Sequence, residues 1–175
     1  DVGVGMVEVL RVTTKPGDKV LINTPIYQNF FNWINETKVE LVDVPFIKDG
    51  MNYILDFEKI EQQYASGLKV HALCSPHNPL GRIYSRSELT WIADMAKKYG
   101  VTVISDEIHA PLTFPGEEFI PFLSVNQNAA DVGICVSSAS KAFNIAGLKS
   151  AIIISQSPAV HELLATMPMS VHFRS

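Results

Sequence analysis

Lys141 is the residue of this chain whose setting most suggests chemistry. It follows two serines, Ser138 and Ser140, and comes just after the apolar run at 132–136. A lysine at the end of a buried strand, beside small hydroxyl side chains, is well placed to form a Schiff base with a phosphate-bearing cofactor. The tetrapeptide alone predicts little, because most lysines are solvated surface charges.

Polar and aromatic residues follow three other apolar runs of the sequence. They are Tyr27 after residues 19–22, Asn78 after residues 70–74, and Asp106 and His109 after residues 101–105. In parallel α/β sheets, ligands bind beyond the carboxyl ends of the strands. We therefore expect an aromatic ring, an amide, an acid, a histidine and the lysine to project toward one edge of a sheet.

Strands and helices alternate along the chain, as the apolar periodicity predicts. Strands are expected at 19–22, 39–44, 70–74, 101–105, 132–137 and 151–155, and several lack alternation, as strands buried on both faces do. Helices are expected at 4–12, 27–36, 56–66, 86–99 and 158–167. This order predicts an α/β fold, a three-layer α/β/α arrangement around a mainly parallel sheet.

The helix at 86–99 has the clearest boundaries. It begins at Ser85 or Ser87, carries Glu88 in its first turn, and ends in two lysines before Gly100. Acid at the start, base at the end and a terminal glycine are typical helix signals.

Composition limits the classes of function. The chain has 175 residues, 47% of them hydrophobic and 18% charged, which is enough for one sizeable domain with a large core. A net charge of −4 argues against nucleic acid and anionic membrane surfaces as partners. Cys74 and Cys135 have neither zinc-site nor disulfide-scaffold spacing. With no signal segment or membrane span, we expect a cytoplasmic protein.

Three segments resemble the pyridoxal-phosphate enzymes of fold type I, the aspartate aminotransferase superfamily. They begin at Ser75 (SPHNPLGR), Ser105 (SDEIH) and Ser140 (SKAFNIAGL), and within the superfamily they are most similar to the MalY/PatB branch of carbon–sulfur β-lyases. Three ordered motifs are a strong signal, although each alone is weak. The resemblance covers nearly the whole chain and implies the large, cofactor-binding domain over residues 1–175.

The resemblance implies roles for Lys141 and Asp106. Lys141 would form the Schiff base with the cofactor aldehyde and then carry protons at the substrate α-carbon, so it must spend time as a neutral amine. Partial desolvation beside other positive charge favours that form. Asp106 would pair with the pyridine nitrogen and keep it protonated. The alternatives are a surface lysine, and a helix cap or salt bridge at Asp106.

Three further residues would surround the cofactor ring by the same resemblance. Asn78 would donate to the ring oxygen, before a cis peptide to Pro79; an ordinary Asn-Pro turn is the alternative. His109 stands where aspartate aminotransferases usually carry a tyrosine, which favours the lyase branch, although a histidine packed in the fold is also consistent. Tyr27 would cover the ring, or else pack in the core beside neighbouring phenylalanines.

The phosphate would be held by Ser138, Ser140 and backbone N–H groups, with the serines also able to orient the lysine. Lys149 stands where aspartate aminotransferases have a phosphate-binding arginine, and it can supply the charge without the bidentate fork. Residues 1–3 fall where the family has a glycine-containing phosphate loop, but they match it poorly.

The function implied is a pyridoxal-phosphate-dependent carbon–sulfur β-lyase that converts a sulfur-containing amino acid to thiol, pyruvate and ammonia. The parent enzyme is expected to be a homodimer. Its small domain and carboxylate-binding arginine would lie after residue 175, and a tyrosine from the neighbouring subunit before residue 1. We therefore expect the 175-residue piece to be inactive by itself.

Four alternatives remain open from the residues. An aminotransferase would use the same cofactor, and a non-catalytic or regulatory protein could retain the same scaffold. A nucleotide-binding Rossmann domain is disfavoured because no strand is followed by Gly-x-Gly-x-x-Gly. A metal site at Asp106, Glu107 and His109 lacks a further ligand pair with suitable spacing, so no metal is expected, and Glu107 is assigned to supporting structure.

Overall fold

The computed structural model describes residues 1–172, so the last three residues of the predicted domain lie outside it. The strands are β1 (Lys19–Ile22), β2 (Glu40–Asp43), β3 (Ile47–Asp49), β4 (Asn52–Ile54), β5 (Val70–Cys74), β6 (Thr102–Asp106), β7 (Gly133–Ser137) and β8 (Ile152–Ile154). The helices are α1 (Val2–Thr13), α2 (Asn29–Glu36), α3 (Phe57–Ala65), α4 (Arg86–Tyr99), α5 (Gln127–Val132), α6 (Pro158–Leu164) and α7 (Met169–His172).

Six strands form one sheet in the order β2-β1-β5-β6-β7-β8. The first five are parallel to their neighbours, and β8 runs antiparallel to β7. The mainly parallel α/β sheet is therefore confirmed, with one antiparallel edge strand. Because β1, β5, β6 and β7 point the same way, the segments that follow them meet at one edge of the sheet.

Helices cover both faces of this sheet. Alternate strand residues divide the core: Leu73 and Val103 pack toward α3 and α4, whereas Ala72 and Ile104 pack toward α1 and α2. Strands buried on both faces explain the near-continuous apolar runs of the sequence. The predicted three-layer arrangement is confirmed.

Helix α4 has the ends that its sequence predicts. Ser85 is the N-cap, and its hydroxyl accepts the N–H of Glu88 at 3.2 Å while the Glu88 carboxylate accepts the N–H of Ser85 at 2.8 Å. Gly100 adopts a left-handed conformation, with φ of 70°, at the C-terminal end. This capping box satisfies two amides that the first helical turn leaves free.

Several boundaries differ from the sequence prediction. Val132 ends α5 instead of starting a strand, α6 stops at Leu164, and Tyr27 lies before α2. The β3–β4 hairpin has no counterpart in the sequence prediction; its two-residue turn is Gly50-Met51, in which Gly50 has a positive φ of 59°. Its strands are three residues long and mostly exposed, so they produce little hydrophobic periodicity.

Candidate active site

A cavity of about 330 Å³ lies at the carboxyl edge of the sheet. Seven of the eight candidate residues line it: Tyr27, Asn78, Asp106, His109, Ser140, Lys141 and Lys149. The eighth, Ser138, is buried directly after β7 and does not line the cavity. The topology therefore gathers residues that are more than 100 positions apart in the chain, as the strand-end argument predicts.

Asp106 is a buried acidic residue that lines the cavity. It ends β6, between β5 and β7, where it pairs in register with Cys74 and Val136. Its residue is only 5% exposed, and its Oδ1 accepts the Ile108 N–H at 3.2 Å. Burial raises the pKa of this carboxyl to about 7, and the neighbouring Glu107 adds to the rise. A positively charged group beside Asp106 would therefore stabilise the ionised form of its carboxyl.

Glu107 is buried as well, but it does not line this cavity. Its Oε1 accepts the Ser105 hydroxyl at 3.0 Å and the Phe122 N–H at 2.9 Å. These bonds fasten the segment after β6 to the sheet. Within residues 1–172, no group of three or more histidine, cysteine, aspartate or glutamate side chains could hold a metal ion.

Lys141 lies in the turn that follows β7 and is exposed. The described residues therefore do not supply the desolvation that the sequence leads us to expect. The serines before it are buried: Ser138 donates to the Ser150 carbonyl at 2.6 Å and accepts the Ser140 N–H at 3.0 Å. The two hydroxyl oxygens lie 2.7 Å apart. This network fixes the start of the turn and leaves Ser140 at the cavity wall.

The N-terminus of α1 provides backbone donors that side-chain matching does not detect. Asp1, Val2 and Gly3 line the cavity, and Asp1 caps the helix by accepting the Val4 N–H at 3.2 Å. The first amides of a helix and its dipole favour an anion. Residues 1–3 match a glycine loop poorly in sequence, but their position at the start of α1 still presents main-chain N–H groups at the cavity.

Lys149 adds an exposed positive charge beside these amides. Its Nζ lies 3.6 Å from the Asp1 carboxylate, and its carbonyl accepts the Asp1 amino group at 2.8 Å. The negative charge of Asp1 therefore offsets part of the positive charge of Lys149. The net attraction for an anion at this end of the cavity depends on both side chains.

Tyr27 also lines the cavity, and its residue is 38% exposed. Its hydroxyl accepts the Asn29 Nδ2 at 2.7 Å, and its ring meets the Trp33 ring edge-on with centroids 6.2 Å apart. Both partners also line the cavity. The alternative in which Tyr27 packs inside the core is therefore wrong. The sequence does not identify Asn29 and Trp33 as site residues, because their place at the cavity follows from the turn of α2.

Asn78 and His109 stand side by side on two neighbouring loops and are both half-buried. The predicted cis peptide between Asn78 and Pro79 is present. Burial lowers the pKa of His109, and the positive charge of Lys141 lowers it further. Both residues also border a second cavity of about 510 Å³, which Arg82, Phe114 and Glu117 help to line. Open space therefore continues beyond them.

Known proteins share this arrangement of sequence and fold. Residues 3–175 match the family model for aminotransferase class I and II. The chain is 36% identical over 146 residues to the cystathionine beta-lyase PatB of Bacillus subtilis, covering 83% of this chain and 38% of PatB. It is 35% identical over 153 residues to the cystathionine beta-lyase of Corynebacterium glutamicum, covering 87% of this chain and 40% of that protein.

A solved structure is similar over the same region. The crystal structure of cystalysin from Treponema denticola, which contains a pyridoxal 5′-phosphate cofactor, superposes with a TM-score of 0.90 and 36% sequence identity. The match covers 96% of this chain and 45% of cystalysin. The chain thus spans less than half the length of these proteins. No helix among residues 1–172 is long and apolar enough to cross a membrane.

Proposed function

Because this chain belongs to the aminotransferase class I and II family, we propose that its cavity binds pyridoxal 5′-phosphate and that the protein is a carbon–sulfur β-lyase. The reaction is the cleavage of a sulfur-containing amino acid, with water, to a thiol, pyruvate and ammonia. The observation that carries the proposal is the convergence of an amine, Lys141, and a buried carboxylate, Asp106, on one cavity. Their strands, β7 and β6, are neighbours in the sheet.

The donor set fits the cofactor from one end to the other. The Asp106 carboxylate, buried and short of partners, suits a protonated ring nitrogen, since the opposite charge offsets its desolvation. The first amides of α1, the Ser140 hydroxyl and the Lys149 ammonium suit a phosphate group. Asn78 and His109 can donate to the ring oxygen, and Tyr27 can cover a ring face.

The cofactor supplies an aldehyde that condenses with amines and a ring that takes up electron density from the substrate α-carbon. Lys141 would hold the cofactor through its amine, and once released that amine would be placed to take the proton from the substrate α-carbon. The Asp106 carboxylate would keep the ring nitrogen protonated. Tyr27 would fix the tilt of the ring and shield that face from water.

The second cavity gives the substrate room. It continues past Asn78 and His109, where the amino acid would lie beside the cofactor. A chain that spans less than half of its relatives is best explained as the cofactor-binding large domain of a longer enzyme, over residues 1–175.

The parent enzyme is a homodimer under this proposal. The segment after Lys141 exposes apolar side chains in this chain, with Phe143 71% and Leu148 69% exposed, and such surface suits contact with a second subunit or with the remainder of a longer chain. Cys74 and Cys135 are both free and buried, which agrees with a reducing, cytoplasmic location.

The alternative activity is transamination with the same cofactor, which the family description supports. The two reactions are separated by supplying cystathionine to the full-length enzyme without any keto acid. A β-lyase releases pyruvate and free thiol in equal amounts under these conditions. If turnover requires an added keto acid and no thiol appears, the protein is an aminotransferase and the lyase proposal is wrong.

A further inference from the structure

Strands β1 and β5 are the least completely joined neighbours beneath the active site. They pair only at Val20–Val70 and Leu21–His71, whereas β5 and β6 pair from Val70 through Cys74. We call the junction between β1 and β5 the seam. The segment that carries Tyr27 follows β1 on one side of the seam, and the segment that carries Asn78 follows β5 on the other. Backbone pairing between β1 and β5 therefore stops before the segments that carry Tyr27 and Asn78.

Two buried histidines cross the seam with side-chain hydrogen bonds. His71 Nε2 lies 2.8 Å from Asn23 Oδ1, and His77 Nε2 lies 2.9 Å from the Pro25 carbonyl oxygen. Both histidines belong to the β5 side, and both acceptors belong to the segment after β1. Each imidazole thus adds a side-chain hydrogen bond between the two sides of the seam, beside the two backbone pairs.

A tyrosine fixes the proton on each ring. Tyr64 Oη lies 2.7 Å from His71 Nδ1, and Tyr84 Oη lies 2.9 Å from His77 Nδ1. A carbonyl oxygen can only accept, so His77 must donate through Nε2–H and accept from the tyrosine at Nδ1. For His71, the Asn23 amide donates from Nδ2 to the Val44 carbonyl at 2.9 Å, which turns its oxygen toward the ring.

Each ring is therefore a neutral imidazole with one defined tautomer. Both histidines are 1% exposed or less. Burial lowers the pKa of His71 to about 3 and that of His77 to about 4, so neither is charged at neutral pH. His77 is also packed edge-on against Phe46, with ring centroids 4.8 Å apart. The ring has little freedom to leave its two partners.

We propose that His77 is a positioning residue that sets the separation between the Tyr27 segment and Asn78, and that His71 does the same one step deeper in the seam. The effect on the two segments follows from the contacts alone. The consequence for cofactor binding rests on the proposed function, because Tyr27 and Asn78 are the residues assigned to the ring face and ring oxygen.

Two amide substitutions test the proposal by keeping one bond each. In His77→Gln, the longer side chain places an N–H near the Nε2 position and can keep the bond to Pro25. In His77→Asn, the shorter side chain reaches only the Nδ1 position, so it can keep Tyr84 and loses Pro25. Ile92→Val in α4, a buried position on a helix that carries none of the seam residues, serves as a control for general loss of core stability.

The first readout needs no cofactor. Amide hydrogen exchange across residues 24–30 is measured for each variant against the remainder of the chain. We expect His77→Asn to exchange about tenfold faster in this segment alone, as the loss of one buried hydrogen bond implies. We expect His77→Gln to stay within about twofold of the unsubstituted chain. If His77→Asn and His77→Gln behave alike, or if Ile92→Val accelerates the same segment, the proposal is wrong.

The second readout is the dissociation constant of pyridoxal 5′-phosphate together with the circular dichroism of the bound cofactor. We expect about fivefold weaker binding and an altered signal for His77→Asn, with both kept in His77→Gln. An unsubstituted chain that binds no cofactor would overturn the proposed function, and hydrogen exchange would still decide the positioning role.

A third variant covers the case in which His77→Asn does not fold. Tyr84→Phe keeps the imidazole and removes its partner at Nδ1. Without that partner the imidazole can take the tautomer that lacks the Nε2–H, which the amide of His77→Gln cannot do, so we expect exchange across residues 24–30 to rise about threefold. Unchanged exchange in Tyr84→Phe overturns the proposal.

Discussion

Asp106 and Lys141 come from neighbouring strands of one sheet, yet their surroundings are opposite. Asp106 ends a strand that is paired on both sides, and its residue is 5% exposed. Lys141 lies four positions beyond the end of β7, in an exposed turn. The difference indicates that the chain preorganises the carboxylate end of its cavity by itself. The amine end is held by the hydrogen bonds of Ser138 and Ser140 and by backbone bonds within the turn, which leave Lys141 exposed.

The largest effect is expected at the carboxylate end. Asp106→Asn removes the charge that faces the ring nitrogen, and the loss of one partner of a buried ion pair weakens pyridoxal 5′-phosphate binding by about 100-fold. Fluorescence or absorbance titration measures it. Glu107→Gln is the matched control, because Glu107 is equally buried but binds Phe122 away from the cavity. Equal losses in both variants would contradict the assignment of Asp106.

The pH dependence of stability also separates Asp106 from its surroundings. In the cofactor-free chain, its raised pKa of about 7 means that the folded state holds a proton that the unfolded state releases. Stability is lost as pH rises from about 4 to 7, by up to about 1.4 kcal/mol per pH unit. The lowered pKa values of His71 and His77 have the opposite effect, because below about pH 6.5 the unfolded state takes up protons and stability falls as pH falls.

Comparison with Asp106→Asn removes the histidine contribution, which both proteins share. Urea unfolding between pH 4 and 7 is expected to show the stability of the unsubstituted chain falling relative to the variant. A difference that stays constant over this range would show that Asp106 is not desolvated.

A smaller effect is expected at the phosphate end. Lys149→Ala weakens cofactor binding by up to about fivefold at low salt and less at high salt, because the charge is exposed. Asp1→Asn acts in the opposite sense, since it removes a negative charge and keeps an N-cap side chain. Lys15→Ala, at another exposed lysine, is the control. Binding that is insensitive to both charges would place the phosphate elsewhere.

Much of the fold and of the cavity could be predicted from the sequence. The strands at residues 19–22 and 70–74 were predicted with their observed bounds, because burial on both faces leaves a continuous apolar run. Once the sheet is parallel, the rule for strand ends is sufficient to bring Tyr27, Asn78, Asp106 and Lys141 to one edge. The roles of these residues stay predictions.

Other features depend on contacts that periodicity does not encode. The direction of β8 is set by the path of residues 138–151, and three consecutive isoleucines read the same in either direction. The desolvation expected for Lys141 depends on what covers its turn. His71 and His77 acquire their arrangement from tyrosines seven residues away and from acceptors about 50 residues away, so no local pattern shows it.

The most direct test of the central claim is to identify the lysine that holds the cofactor aldehyde. The purified chain is incubated with pyridoxal 5′-phosphate, reduced with borohydride and digested, and the labelled peptide is located by mass spectrometry. The account predicts label on Lys141, and its loss in Lys141→Ala while Lys149→Ala is still labelled. Label concentrated on another lysine, or unchanged in Lys141→Ala, would contradict the proposed pairing of Lys141 with Asp106 across one ring.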